Sequence, residues 1–152
     1  MDLIIWRHAE AEDGNIDFTR KLTDKGRVHA RRVAAWLEMN LPRDARVLAS
    51  PAKRAQQTVK ALDWEYETFD LLAGASAQDV LDLAGWPNGK KTIVIVGHQP
   101  TLGQVAALLT QGVVADMAIK KGAAWWFESR EKNNKYETRL RAVVSPDLLP
   151  DI

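Results

Sequence analysis

Hydrophobic positions along this chain follow two different periods, and the changes between them mark its elements. Leu3-Ile4-Ile5-Trp6 and Ile93-Val94-Ile95-Val96 are unbroken apolar runs, the pattern of strands covered on both faces. After the first run, residues 10–20 are polar, with Gly14, Asn15 and Asp17, and predict a loop. Ala30, Val33, Ala34, Leu37 and Leu41 then recur at helical spacing, with Thr23 placed as an N-cap, Asp24 in the first turn and Pro42 as the stop. Residues 46–49 predict a short strand that runs into Ser50-Pro51. There serine can cap and proline can take the first position of a helix with Ala52, Ala55, Val59 and Leu62 on its buried side. A further strand is expected over 65–69 and a short helix over 77–83, stopped by Gly85-Trp86-Pro87-Asn88-Gly89. Leu102, Val105, Ala106 and Leu109 place a helix ending near Gly112. The tail changes character: residues 123–129 and 138–144 predict two strands joined by a polar turn over 131–135, an antiparallel hairpin at the sheet edge. Strand and helix alternate through the first 112 residues, which predicts a three-layer α/β/α sandwich with a mostly parallel sheet.

Composition narrows the classes without choosing among enzymes. A chain of 152 residues, 46% hydrophobic and 27% charged, fits one globular domain over 1–152. It contains no cysteine, which excludes a disulfide scaffold, a thiolate metal site and a cysteine nucleophile. A net charge of +1 with both signs interspersed offers no field for nonspecific nucleic-acid binding and no polybasic membrane anchor. The start MDLIIWRHAE lacks the basic flank and longer apolar region of a secretory signal, and no apolar run approaches a membrane span. Cytoplasm is the expected compartment, and oligomeric state is not legible.

The chemistry gathers at strand ends. Ligands of open α/β sheets sit beyond the carboxyl ends of parallel strands, and those ends deliver Arg7 and His8, then Ser50 with Arg54 one turn on, then His98. Helical side chains lean toward the N-terminus, so Arg54 is expected to reach the rim that receives both histidines. Two guanidiniums and two imidazoles suit a phosphate dianion. Imidazole is nucleophilic and largely neutral near pH 7, so one histidine can attack phosphorus while its neighbours hold charge. His8 beside Arg7 is the candidate nucleophile, and His98 is expected to bind a phosphate oxygen, preferably as the imidazolium.

Arg7-His8-Ala9, the SPxxRxxQT stretch from Ser50 to Thr58 and Val96-Gly97-His98-Gln99-Pro100, in that order, resemble the histidine phosphatase superfamily. The similarity is greatest to its small SixA-type phosphohistidine phosphatases, and extends to RKLTDKG from Arg20 to Gly26 and to VVSP from Val143 to Pro146. The resemblance implies a phosphoglycerate mutase-like fold, transient phosphorylation of His8, a phosphoryl clamp of Arg7 and Arg54 completed by His98, and Arg20 near the site mouth. It implies no metal or organic cofactor. Two departures stand out. Ala9 replaces the usual glycine, and no carboxylate between Leu71 and Leu83 matches the acid that larger relatives use on alkoxide leaving groups; Asp79 and Asp82 qualify by position only. A missing acid fits an imidazole leaving group, and a short chain leaves little to build a lid. The expected substrate is therefore a phosphohistidine on a signalling or phosphotransfer protein. A phosphatase for small phosphate esters, or a noncatalytic phosphate-recognising module, is the alternative.

Plainer roles are expected elsewhere. His29 reads as a surface residue on a helix flank, and Ser50 as an N-cap rather than a catalytic hydroxyl. Gln57 and Thr58 suit supporting polar contacts as well as they suit ligands. Glu10, Glu12, Asp13 and Asp17 read as a solvated acidic loop rather than a metal site. Trp6, Trp36, Trp125 and Trp126 are expected in core or edge packing, with Trp64 and Trp86 half exposed near loops.

Overall fold

The computed structural model describes residues 1–151. Six strands form one sheet: β1 (Asp2–Arg7), β2 (Arg46–Ala49), β3 (Glu67–Thr68), β4 (Ile93–Gly97), β5 (Ala124–Lys132) and β6 (Lys135–Val144). Their spatial order is β3-β2-β4-β1-β5-β6, parallel from β3 to β1 and antiparallel at β5 and β6. The helices are α1 (Asp24–Asn40), α2 (Lys53–Lys60), α3 (Ala77–Ala84) and α4 (Thr101–Gln111).

The period of two within each apolar run separates the layers. Ile4, Trp6, Val47, Ala49, Val94 and Val96 face one side, where they pack with Val33, Ala34 and Leu37 of α1 and Ala55 and Val59 of α2. Leu3, Ile5, Leu48, Ile93 and Ile95 face the other, against Val80 and Leu81 of α3, Leu102, Val105 and Ala106 of α4, and Phe127. Both faces of the parallel strands are covered, which is why these strands read as continuous apolar runs. The expected α/β/α sandwich with an antiparallel edge is the fold observed.

Three local expectations differ from the structure. The strand expected over 65–69 shrinks to Glu67–Thr68, because its neighbour β2 is short and pairs only through Leu48 and Ala49. α2 begins at Lys53 with Ala52 as its N-cap rather than at Pro51, and the Ser50 hydroxyl is shared between His98 and Ala52 N. The terminal hairpin is longer and tighter than expected. Its turn is Asn133-Asn134, with φ of 53° and 62°, the positive pair that a two-residue turn matched to strand twist requires.

The segment between α4 and β5 carries no regular element, yet it is fixed. The Gln99 side chain accepts from Gly103 N at 2.6 Å and donates to Met117 O at 2.8 Å. A β-carbon on Gly103 would fall 1.8 Å from that same Met117 oxygen, so only glycine allows α4 to approach the segment this closely.

Candidate active site

Sheet register brings the candidate residues into adjacent rows. Trp6 is level with Val96, Ala49 with Val96, and Arg7 with Gly97, so the residues that follow β1, β2 and β4 leave the sheet side by side. Backbone bonds extend this register past the strand ends: His8 N donates to Gly97 O at 3.1 Å, and Ser50 N to Val96 O at 3.0 Å. β4 lies between β1 and β2, which places His98 between His8 and Ser50.

The two imidazoles meet, with ring centroids 5.3 Å apart and planes tilted by 52°. His8 is 7% exposed, and its Nδ1 lies 2.7 Å from Ala9 O. A carbonyl only accepts, so Nδ1 carries the proton and Nε2 keeps its lone pair. Burial pushes His8 down to about 3, against the upward pull of that hydrogen bond, and the charges of His98, Arg54 and Arg7 push the same way as burial. Burial, then the Arg54 charge, brings His98 down to about 4. Both rings are therefore neutral at pH 7 in the free site, and the imidazolium expected for His98 is not its resting form.

The arginines are held from behind. Arg7 Nη1 donates to Ile119 O at 2.6 Å, which anchors the guanidinium to the segment between α4 and β5. Arg54, 9% exposed, donates from Nη1 to Asp17 O at 2.9 Å and from Nη2 to the Asp17 carboxylate at 3.2 Å. Arg20 stands one link back, reaching the same carboxylate from Nη1 at 3.1 Å while its Nε donates to Glu12 O. Asp17 is thus not simply solvated, as its acidic loop suggests. The hydrogen bond from Arg20 and the Arg54 charge hold its carboxyl below the usual range.

Three buried nitrogens of this group, Arg7 Nε, Arg54 Nε and His98 Nδ1, have no hydrogen-bond partner. Natural proteins seldom strand buried polar atoms, and here the three belong to three of the five predicted site residues. A tetrahedral oxyanion offers the acceptors that arginine lacks.

Ser50 and Thr58 do more than their sequence context promised. Ser50 is fully buried, with Oγ 2.7 Å from His98 Nε2, while it also accepts from Ala52 N at 3.2 Å. Thr58, equally buried, donates to Arg54 O at 2.7 Å and accepts from Ala9 N at 3.0 Å, tying α2 to the end of β1. Gln57 Oε1 accepts from Leu22 N at 2.8 Å, a supporting contact. The Ala9 methyl fits without strain, packed with Leu22 and Ala30 in a small buried cluster.

The positional candidates for an acid are engaged in other contacts. The Asp79 carboxylate accepts from Ser76 N at 3.1 Å and completes the capping box of α3, and Asp82 accepts from Gln78 on an exposed face. Asp17, the carboxylate nearest the arginines, is a poor proton donor because both cations stabilise its ionised form. Among the described residues no cluster of histidine, aspartate or glutamate has metal-binding geometry, and no helix is long and apolar enough to cross a membrane. His29 is half-buried, and Trp64 and Trp86 are half exposed as expected.

Fold and site together define an enzyme of the phosphate-handling class. Residues 3–73 match the model of the histidine phosphatase superfamily, branch 1. A phosphohistidine phosphatase SixA homolog of Haemophilus influenzae is 34% identical over 126 residues, covering 72% of this chain and 77% of the relative. Among solved structures, the protein histidine phosphatase SixA complexed with tungstate superposes with a TM-score of 0.74 at 23% identity, covering 97% of this chain and 98% of the other. A phosphoserine phosphatase mutant of Entamoeba histolytica in complex with phosphoserine gives a TM-score of 0.73 at 20% identity, covering 97% and 99%. The chain belongs to the histidine phosphatase superfamily. Phosphatase is its enzyme class.

Proposed function

We propose that this protein removes phosphate from phosphohistidine on another protein, through a covalent intermediate on His8. Nε2 of His8 attacks phosphorus in line with the substrate's imidazole nitrogen. The P–N bond of the substrate breaks as the bond to His8 forms, and the departing imidazole takes up a proton from solvent. Water then attacks the phosphoryl group on His8, giving inorganic phosphate and restoring Nε2. Arg7, Arg54 and His98 neutralise the equatorial oxygens, where phosphoryl transfer needs help most. The Arg20–Asp17 pair sets the outer edge of the clamp. The neutral state of His8 suits a nucleophile, since a protonated ring has no lone pair to give.

The observation that carries this reading is the set of unpartnered nitrogens on Arg7, Arg54 and His98 around a deprotonated His8 Nε2. The absence of a well-placed acid bears on the substrate. Imidazole departs from phosphorus with far less proton assistance than an alkoxide does. A reading as a small-ester phosphatase draws support from the phosphoserine phosphatase that shares the fold. Release of phosphate from a histidine-phosphorylated peptide, compared with phosphoserine and p-nitrophenyl phosphate, separates the two: higher kcat/KM on the esters overturns our choice. His8→Ala is expected to abolish turnover with the fold intact. Acid-labile label on wild type but not on this variant identifies the intermediate, and its absence from wild type would make the protein a binding module instead.

A further inference from the structure

Two hollows adjoin the site, and they differ in charge. One, of about 320 Å3, is formed by the loop after β1, where Glu12 and Asp13 are balanced by Arg20 and Lys21. The other is a groove of about 500 Å3 that includes Arg7 itself, bounded by Lys25 and His29 of α1 and by the segment carrying Lys120 and Lys121. Glu10 is its single acidic lining residue. Lys120 pairs with Asp147 at 2.9 Å, and Lys25 stands 3.9 Å from Glu10. Even with Asp147 counted, the four cations outnumber the two carboxylates, in a chain whose total net charge is only +1.

The groove is built rather than incidental. Its far wall is fixed by the Arg7 bond to Ile119 O, by Gln99 on Met117 O, and by Gly122 N donating to His8 O at 3.0 Å. Arg7 belongs both to this groove and to the phosphoryl clamp. A chain that presents its phosphoryl group to His8 and continues past Arg7 enters the groove that Lys25 and Lys121 line.

We propose that this groove docks an acidic segment flanking the phosphohistidine of the protein substrate, so that aspartate and glutamate beside the phosphorylated histidine favour turnover. The inference rests on the protein-phosphohistidine reading and adds the chemistry of the partner's surface. Charge complementarity at the rim of a site acts on encounter and orientation, and salt weakens it. A neutral hollow on the Arg20 side and a cationic groove on the Arg7 side give the partner one preferred direction across the mouth.

Four synthetic peptides of equal length test this: phosphohistidine or phosphoserine at the centre, with flanks either of Asp and Glu or of Lys and Arg. Wild type is expected to turn over the acidic phosphohistidine peptide with kcat/KM about tenfold above the basic one in low salt, with the gap closing in high salt. Lys25→Glu/Lys121→Glu, two changes at exposed positions, is expected to invert the preference while phosphoimidazole is hydrolysed within about twofold of wild type. Equal rates on both flanks, or a double variant that keeps the acidic preference, overturns the groove. If only the phosphoserine pair is cleaved, the phosphohistidine reading falls, and the flank preference is then judged on that pair. Cleavage of phosphoimidazole with none of the peptides overturns both. Competition by a short oligonucleotide stronger than that by an unphosphorylated acidic peptide would assign the groove to nucleic acid instead.

Discussion

Ser50→Ala isolates the least expected contact in the site. The hydroxyl removed is fully buried and serves two groups at once, His98 Nε2 at 2.7 Å and Ala52 N at 3.2 Å. Truncation leaves both without this partner at a fully buried position. Each stranded buried group costs about 1–3 kcal/mol, so the variant is expected to lose about 2–6 kcal/mol of unfolding free energy. Activity should suffer separately. With Nε2 released, the ring turns about its side-chain bonds and its Nδ1 drifts from the phosphoryl oxygens; misplacement on the scale of 1 Å lowers kcat/KM by about 10–100-fold. Urea unfolding gives the first quantity, and steady-state hydrolysis of the histidine-phosphorylated peptide at a temperature well below the transition gives the second. Nitrogen-15 chemical shifts of His98 read the ring directly, since a ring fixed by a hydroxyl shows one dominant tautomer and a released ring a mixture. Full kcat/KM in a folded Ser50→Ala protein, with the His98 tautomer unchanged, would refute the reasoning.

Two further expectations concern charge. Because the folded pKa values of His8 and His98 lie near 3 and 4, below the ordinary 6.5, the unfolded chain binds protons that the folded site refuses. The stability these rings confer is complete above pH 6.5 and is lost as pH falls toward 4 for His98 and toward 3 for His8. By pH 5 each ring accounts for about 2 kcal/mol, an upper figure, and denaturant midpoints at pH 7.5 and pH 5 should show it; a His8→Ala variant with the same pH slope as wild type would contradict the assignment. Asp17→Asn removes a repulsive charge from the mouth of the clamp while the backbone oxygen still holds Arg54. Since that carboxylate is largely exposed, KM should fall by no more than about fivefold at low ionic strength with kcat unchanged. A rise in KM would mean that the carboxylate is needed to hold the guanidinium.

The sheet and the two histidines were legible because the information is local. Apolar runs covered on both faces announce their strands, and the residue after a parallel strand lies at its carboxyl end whatever the rest of the chain does. Ser50 misled because its local context, serine before proline and a helical pattern, is sufficient for a cap; only the ring arriving from β4, 48 residues on, redirects the hydroxyl. Asp17 and Ile119 were illegible for a related reason. Both act from irregular segments, one through a carboxylate and one through a backbone oxygen that any residue could supply. In β6 nearly every residue is exposed, so the alternation of Tyr136, Thr138 and Leu140 with Glu137, Arg139 and Arg141 marks no buried face, and the hairpin's true length is set by its turn.

The alignment of Arg7 with Gly97 and of Ala49 with Val96 makes the sheet a ruler for the chemistry. One residue inserted into β1 would carry His8 about 3.3 Å along the strand and swap the faces of Ile5 and Trp6, dismantling both layers along with the proposed nucleophile. Two inserted residues would spare the layers and still leave the imidazoles out of step. Strand length, more than the identity of any residue within the strand, is therefore what descendants of this chain are least free to change.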